Sequence, residues 1–264
     1  MDFETIARHW YAHWYEHNET QTHDVQFLLD VLREQGAKAQ SRILEIACGG
    51  GRIAIPLARA GFDVTGFDRD TEMLRHFRRK ARGIPNLRCH RLDAETDDWG
   101  QDFDVAVLAG NFLINIESDL VYQDAQKLLF HKAAGALKPG GHLYLDFDLH
   151  DDPASVFHSS SGGEEAHTDD LGTVGQMRGY GSVYDPVTQI CAGAGHIELT
   201  TKNGERTVLP DVWYKHIPTQ AQVCAWLDDA GFAIERTYRN FTSDPLPRPI
   251  TPGTHRATIW ARKN

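Results

Sequence analysis

Ile6, Trp10 and Trp14 stand four residues apart with Tyr11 and Tyr15 beside them, a spacing that predicts an aromatic-rich helix over residues 3–18. Val25, Leu28, Leu29 and Leu32 form a second apolar stripe and predict a helix over 24–35, stopped by Gly36. The pattern then changes. Short apolar runs at 42–47, 63–67, 87–92, 103–109 and 142–147 read as strands. Between them, 52–60, 70–82 and 119–137 read as helices, and Lys138-Pro139-Gly140-Gly141 reads as a turn. Strands separated by helices in this rhythm predict a parallel, doubly wound sheet of the α/β class.

The rhythm breaks near His150. Ser159 to Gly163 reads as a mobile loop, and from Val174 to Trp213 alternating segments with turns at Tyr184-Asp185-Pro186 and Lys202-Asn203-Gly204 predict antiparallel strands. A helix over 219–230 and strands near 232–239 and 255–262 then resume the earlier pattern.

Composition narrows the function classes. The formal charge is −10, from 37 acidic against 27 basic residues, so a polyanion meets net repulsion and nucleic acid is not expected as a partner. The basic run Arg75 to Arg82 reads as the solvated face of its helix. No apolar run is long enough to cross a bilayer, the first residues do not resemble a secretory leader, and the four cysteines are scattered. A cytoplasmic protein that acts without a membrane is expected, its oligomeric state left open.

The chemistry concentrates where the first strand ends. In Glu45-Ile46-Ala47-Cys48-Gly49-Gly50-Gly51 small residues let the backbone turn tightly and approach a ligand. Asp68, ending the second strand, can accept both ribose hydroxyls of an adenosine. Gly49-x-Gly51-x-x-Ala54 also fits a dinucleotide fingerprint, so the turn alone leaves an NAD-dependent oxidoreductase open. Two further residues favour S-adenosylmethionine. Glu45 would repel a pyrophosphate but not the ammonium of a methionine moiety, and Asp93-Ala94 offers a carboxylate to an adenine amino group.

These residues, with Met73-Leu74, Phe103-Asp104-Val105 and Lys138 to Gly141, resemble the ordered motifs of class I S-adenosylmethionine-dependent methyltransferases, over about residues 40–150 and more loosely the C-terminal helix and strands. The usual first glycine of that family is Ala47 here. The resemblance implies a Rossmann-like sheet with a reversed C-terminal hairpin strand and a β-rich insertion after the fifth strand. It places Glu45 near the methionine ammonium and Ala47, Gly49 and Gly51 along the methionine and ribose. Asp68 holds the ribose, Met73, Asp93 and Ala94 meet the adenine, and Ala109, Gly110, Asn111 and Phe112 pass beneath the sulfonium. Four segments follow: a helical segment on the substrate side (1–40), the cofactor-binding core (41–149), the insertion expected to cover the active site (150–215), and the rest of the core (216–264).

The acceptor is expected to be a small molecule, resembling the substrates of glycine-type and amino-sugar-type methyltransferases, with an amine nitrogen favoured. O-methylation, or adenosylmethionine binding without transfer, are the alternatives. Tyr11, Trp14, Tyr15, Asn115, Glu117, Tyr180 and Tyr214 are the candidate acceptor contacts, since aromatic faces can hold a cation. Trp10, His196, Trp213 and His216 belong to the same wider set. No residue stands out as a catalytic acid or base. His9, His13 and His17 share one helical face but read as an exposed polar stripe, with no metal expected.

Overall fold

The computed structural model describes residues 2–264. In chain order the elements begin with α1 (Phe3–Asn18), α2 (His23–Glu34), β1 (Arg42–Ile46), α3 (Ala54–Arg59), β2 (Asp63–Asp68), α4 (Thr71–Lys80) and β3 (Leu87–Arg91). They continue with β4 (Phe103–Leu108), α5 (Phe112–Asn115), α6 (Tyr122–Ala136), β5 (Leu137–Asp148), α7 (Pro153–Val156), β6 (Gly162–Gly163) and β7 (His167–Thr168). The remainder are β8 (Val174–Asp185), β9 (Ile190–Thr200), β10 (Arg206–His216), α8 (Gln220–Asp229), β11 (Phe232–Arg239) and β12 (Arg256–Lys263). Among the described residues no helix is long and apolar enough to cross a membrane.

The chain forms two compact units. The larger comprises Gln21–Asp151 and Pro218–Asn264, and its seven strands run in the order β11-β12-β5-β4-β1-β2-β3. β3, β2, β1, β4 and β5 are parallel, while β12 is antiparallel to both β5 and β11. Alternation along each strand sorts its side chains between two cores. Leu44, Ala106, Leu145 and Ile259 pack with α6 and α8, whereas Ile43, Val105, Tyr144 and Trp260 pack with α2, α3 and α4. Helices therefore cover both faces, as a parallel sheet requires. This is the Rossmann-like sheet with a reversed hairpin strand that the sequence implied.

Three local expectations differ. The helix expected from residue 119 begins at Tyr122, and the four-residue α5 precedes it. Lys138 to Gly141 lie at the start of β5, but the ladder passes from the Phe103–Leu137 pair to the Val105–His142 pair, so the expected turn is present as a bulge. Lys138 is drawn back by its ion pair with Asp104, 2.8 Å away. Ser159 to Gly163 is also not free. Ser159 bridges Ser182, and Gly162 and Gly163 pair with Gly179 and Arg178 at the edge of β8, so backbone hydrogen bonds hold the segment expected to be mobile.

The smaller unit joins the N-terminal segment through Thr20 to Asp152–Ile217. Its sheet runs β10-β9-β8-β6, with β7 also paired to β8, and every pairing is antiparallel. α1 starts at Asp2, whose side chain accepts the Thr5 N–H, and it docks through Trp10. That indole is fully buried, donates to the His167 carbonyl at 2.9 Å, and lies flat where Gly175 has no side chain. A Cβ at Gly175 would stand 2.2 Å from the Trp10 ring. Gly175→Ala should therefore destabilise this unit by about 1–3 kcal/mol, as overpacking does. A thermal melt indistinguishable from that of the unaltered chain would disprove the docking.

Candidate functional site

Parallel strands β1, β2 and β4 all end on one side of the sheet, and the chain leaves β1 for β2 on one flank and β4 for β5 on the other. A crevice at the carboxyl ends of strands, where the order reverses, is where open α/β sheets bind ligands. The turn after β1 is built there. Ala47, Gly49 and Gly51 all have positive φ (54°, 51° and 83°). At Gly51 a Cβ would also lie 2.8 Å from the Phe77 ring, so only glycine fits. Ala47 carries the cost of its left-handed backbone where the family usually has glycine.

The turn is pinned from β2. The Gly49 N–H donates to Asp68 Oδ2 at 2.8 Å, and the Asp70 N–H donates to Asp68 Oδ1 at 2.8 Å. Burial pushes the Asp68 carboxyl above its ordinary range against the pull of these two N–H groups. Each carboxylate oxygen retains acceptor capacity for a ribose hydroxyl. Asp70, not Asp68, caps α4 by accepting the Glu72 and Met73 N–H groups, and this places the Met73 Cε against Gly49. On the next strand end, the Leu92 N–H donates to the Asp68 carbonyl. Asp93 caps the turn that follows by accepting from Glu95 and Thr96 at 2.8 and 3.2 Å. Burial raises its carboxyl, but these N–H groups outweigh that and hold it below the usual range.

Glu45 is the anomaly of the site. It lies in β1 at 3% exposure, and its Oε2 is buried with no hydrogen-bond partner. Burial pushes its carboxyl up to about 8, although Arg52 and the Ala54 N–H act in the opposite direction. Arg52 is itself held by Asp24 at 2.7 Å and the Gln21 carbonyl at 3.0 Å. An orphaned buried carboxylate oxygen at the mouth of a glycine turn fits a cationic group on a ligand.

After β4, Asn111 turns through a positive φ of 64°. The buried Asp146 accepts the N–H groups of Gly110 and Asn111, both at 3.3 Å, and pairs with Arg256 at 3.2 Å. Burial pushes Asp146 up to about 6 in spite of Arg256. The Asn111 amide closes a pair of hydrogen bonds with Asp148, at 2.6 and 2.8 Å, and Arg256 reaches Asp148 at 2.9 Å. Ala109 and Phe112 flank this loop. Eleven of the twelve residues expected around the cofactor lie at or just after the carboxyl ends of β1 to β4, and Met73 lies in the first turn of α4.

Sequence reasoning missed Arg52, Asp24, Asp146, Asp148 and Arg256. Asp146 carried a readable signal, a charge inside an apolar strand, which is the same signal that marked Glu45. Of the acceptor candidates, Asn115 and Glu117 are exposed in the larger unit, where Glu117 is ion-paired with Arg69. Tyr11, Trp14, Tyr15, Tyr180 and Tyr214 belong to the smaller unit. There Tyr11 rests against Trp14 and Tyr15, while Tyr180 meets His196, whose other ring nitrogen is 2.9 Å from Glu198. His9 is buried, so it is not part of an exposed stripe.

Comparison with known proteins bears on the larger unit. The family described as "Methyltransferase domain" matches residues 43–141, the span from β1 to the β5 bulge. This stretch is similar to a methyltransferase domain. A ubiquinone biosynthesis O-methyltransferase of Photorhabdus laumondii is 30% identical over 146 residues, 54% of this chain and 58% of that one. A glycine N-methyltransferase of Rattus norvegicus is 29% identical over 135 residues, 47% of this chain and 45% of its own. The chain thus spans about half the length of the curated relatives it matches. The fold is shared with a S-adenosylmethionine-dependent methyltransferase from Clostridium acetobutylicum, at a TM-score of 0.71 and 16% identity over the whole of both chains. It is shared too with a SAM-bound amino pentose methyltransferase from Micromonospora echinaspora (TM-score 0.64, 17% identity, 100% of this chain and 98% of that one).

The Glu45 carboxyl gives a pH test. An unfolded chain releases that proton near the ordinary 4.5, whereas the folded chain keeps it to about 8. The folded state binds the extra proton, so stability is fully present below pH 4.5 and declines as pH rises towards 8. Glu45→Gln should remove that decline and melt several degrees above the unaltered chain at pH 8, the gap closing towards pH 5. A gap that does not change with pH would mean that Glu45 is not protonated in the folded chain.

Proposed function

We propose that the chain is an S-adenosylmethionine-dependent methyltransferase whose acceptor is a small molecule bearing an amine. The observation that carries the cofactor half is the Glu45–Gly51 turn locked to Asp68 at the sheet's reversal point, within a domain matched to the methyltransferase family. Glu45 would hold the methionine ammonium, Asp68 the ribose, and Met73 with Asp93 and Ala94 the adenine. Ala47, Gly49, Gly51 and the Ala109–Phe112 loop would line the rest. The bound sulfonium supplies an activated methyl group for in-line displacement, so the protein's task is alignment and exclusion of water.

Asp68→Ala removes two charge-assisted acceptors worth roughly 1.5–3 kcal/mol each and should weaken adenosylmethionine binding about a hundredfold or more. Glu45→Gln should weaken it too, although it stabilises the free protein. Calorimetry on folded variants decides, and unchanged affinity in Asp68→Ala would displace the ribose from this carboxylate.

The acceptor half rests on less. Net charge −10 favours a cation or neutral molecule over a polyanion. Tyr11, Trp14, Tyr15, Tyr180 and Tyr214 supply π-faces suited to an ammonium group. Similar proteins include both an O-methyltransferase and N-methyltransferases, so O-methylation of a small metabolite is the second reading. A labelled methyl-transfer screen over amines, phenols and carboxylates separates them. With an amine, kcat/KM should rise with pH towards the amine's pKa, and Tyr214→Ala should raise KM without lowering cofactor affinity. Transfer to phenols alone would refute the choice of nitrogen. Cofactor binding with no transfer to any acceptor would refute the enzymatic reading.

A further inference from the structure

We propose that His9, Asp169 and Asp170 form a binding site for one divalent transition-metal ion of the zinc class, within the smaller unit. α1 turns His9 inward beside Trp10, and the segment after β7 brings two consecutive aspartates to the same point. The His9 Nε2 lies 2.7 Å from Asp170 Oδ1 and 3.9 Å from Asp169 Oδ2, and the three ligand atoms all fall within 4.8 Å of one another. One imidazole nitrogen and two carboxylate oxygens are a donor set that zinc accepts at bond lengths of about 2.0–2.2 Å. Ligands on a tetrahedron of that size stand roughly 3.3–3.5 Å apart, so the shorter contact opens and the longer one closes by about half an ångström.

The state of Asp169 is the observation that points to a ligand. This residue is 5% exposed. Its Oδ1 accepts the Leu171 and Thr173 N–H groups at 2.9 and 2.8 Å, which fixes the carboxylate plane. Its Oδ2, on the side facing His9, is buried with no hydrogen-bond partner. A buried carboxylate oxygen left without a partner is costly. His9 does not complete it with a hydrogen bond, since Asp169 Oδ2 stands 3.9 Å from the His9 Nε2. A dication touching all three atoms satisfies Asp169 and cancels the two carboxylate charges. Asp170 is part-exposed, which leaves room for water as a fourth ligand. His13 and His17 lie further along the same helix and meet His167 instead, His13 Nδ1 being 2.8 Å from His167 Nε2. The metal would fasten α1 to the start of the β7–β8 hairpin, stabilising the unit by mass action.

The test uses the full chain after dialysis against a chelator, titrated with zinc chloride and followed by calorimetry, bound-metal analysis and thermal melting. One equivalent should bind and raise the Tm. Asp169→Asn, which keeps the oxygen that caps the turn, and His9→Gln should each lower zinc affinity about tenfold or more and abolish the Tm rise. The double variant His13→Gln/His17→Gln should bind zinc as the unaltered chain does. Absence of binding or of a Tm rise in the unaltered chain would overturn the proposal. So would zinc binding that survives Asp169→Asn but is lost with His13 and His17.

Discussion

Where β1 ends, the chain reverses through Ala47, Gly49 and Gly51 at positive φ, and the hydrogen bond from the Gly49 N–H to Asp68 holds that reversal against the neighbouring strand. The bond exists because β1 and β2 run parallel in a register that pairs Ile46 with Phe67, which puts Asp68 beside the turn. The same carboxylate accepts the Asp70 N–H, and Asp70 starts the helix that carries Met73 to Gly49. One residue thus orders the turn and the helix start through its carboxylate and the next strand end through its backbone carbonyl. A slip of one residue between β1 and β2 would turn Asp68 to the opposite face and undo all three.

Two buried carboxylates, Glu45 in β1 and Asp146 in β5, lie near the carboxyl ends of the strands that flank β4, and the structure treats them differently. Asp146 has two backbone N–H donors and an arginine, so its environment is close to complete without a ligand. Glu45 has an N–H at Ala54 and a more distant arginine engaged with Asp24, and one oxygen remains unmatched. Complete pairing suits a group that shapes a loop. Incomplete pairing suits a group that waits for a charge from outside, and its standing instability is a familiar cost of binding sites.

Most of the larger unit was legible because strand and helix periods differ and because apolar runs such as 42–47 and 103–109 are unbroken. Glu45 was legible for the same reason, since a charge in such a run stands out, whereas Asp146 was missed although it carries the same signal. What was not legible depends on partners far along the chain. Periodicity puts His9, His13 and His17 on one face, but does not tell that His9 would be buried beside Asp169 and Asp170, far along the chain, while His17 stays exposed. Arg256 could not be read as the counter-ion of Asp146 without the antiparallel pairing of β12 with β5. Ser159 to Gly163 looked mobile because serine and glycine have no apolar side to bury, yet backbone pairing with β8 needs none. α5 is too short to show a period.

The pairing of Asp146 with Arg256 also bears on the order in which the chain is made. β12 follows the other six strands of this sheet in sequence but lies inside it, between β5 and β11. As the chain emerges from its N-terminus, β1 to β5 and the Gly110–Asn111 loop are available long before Arg256. Until then Asp146 has backbone donors but no cation, and β5 presents an open edge able to pair with the wrong strand. The nascent chain therefore passes through a stage in which the Gly110–Asn111 loop is assembled around an uncompensated charge. That stage ends only when β12 inserts, so a strand that begins at Arg256 locks a loop begun near residue 110.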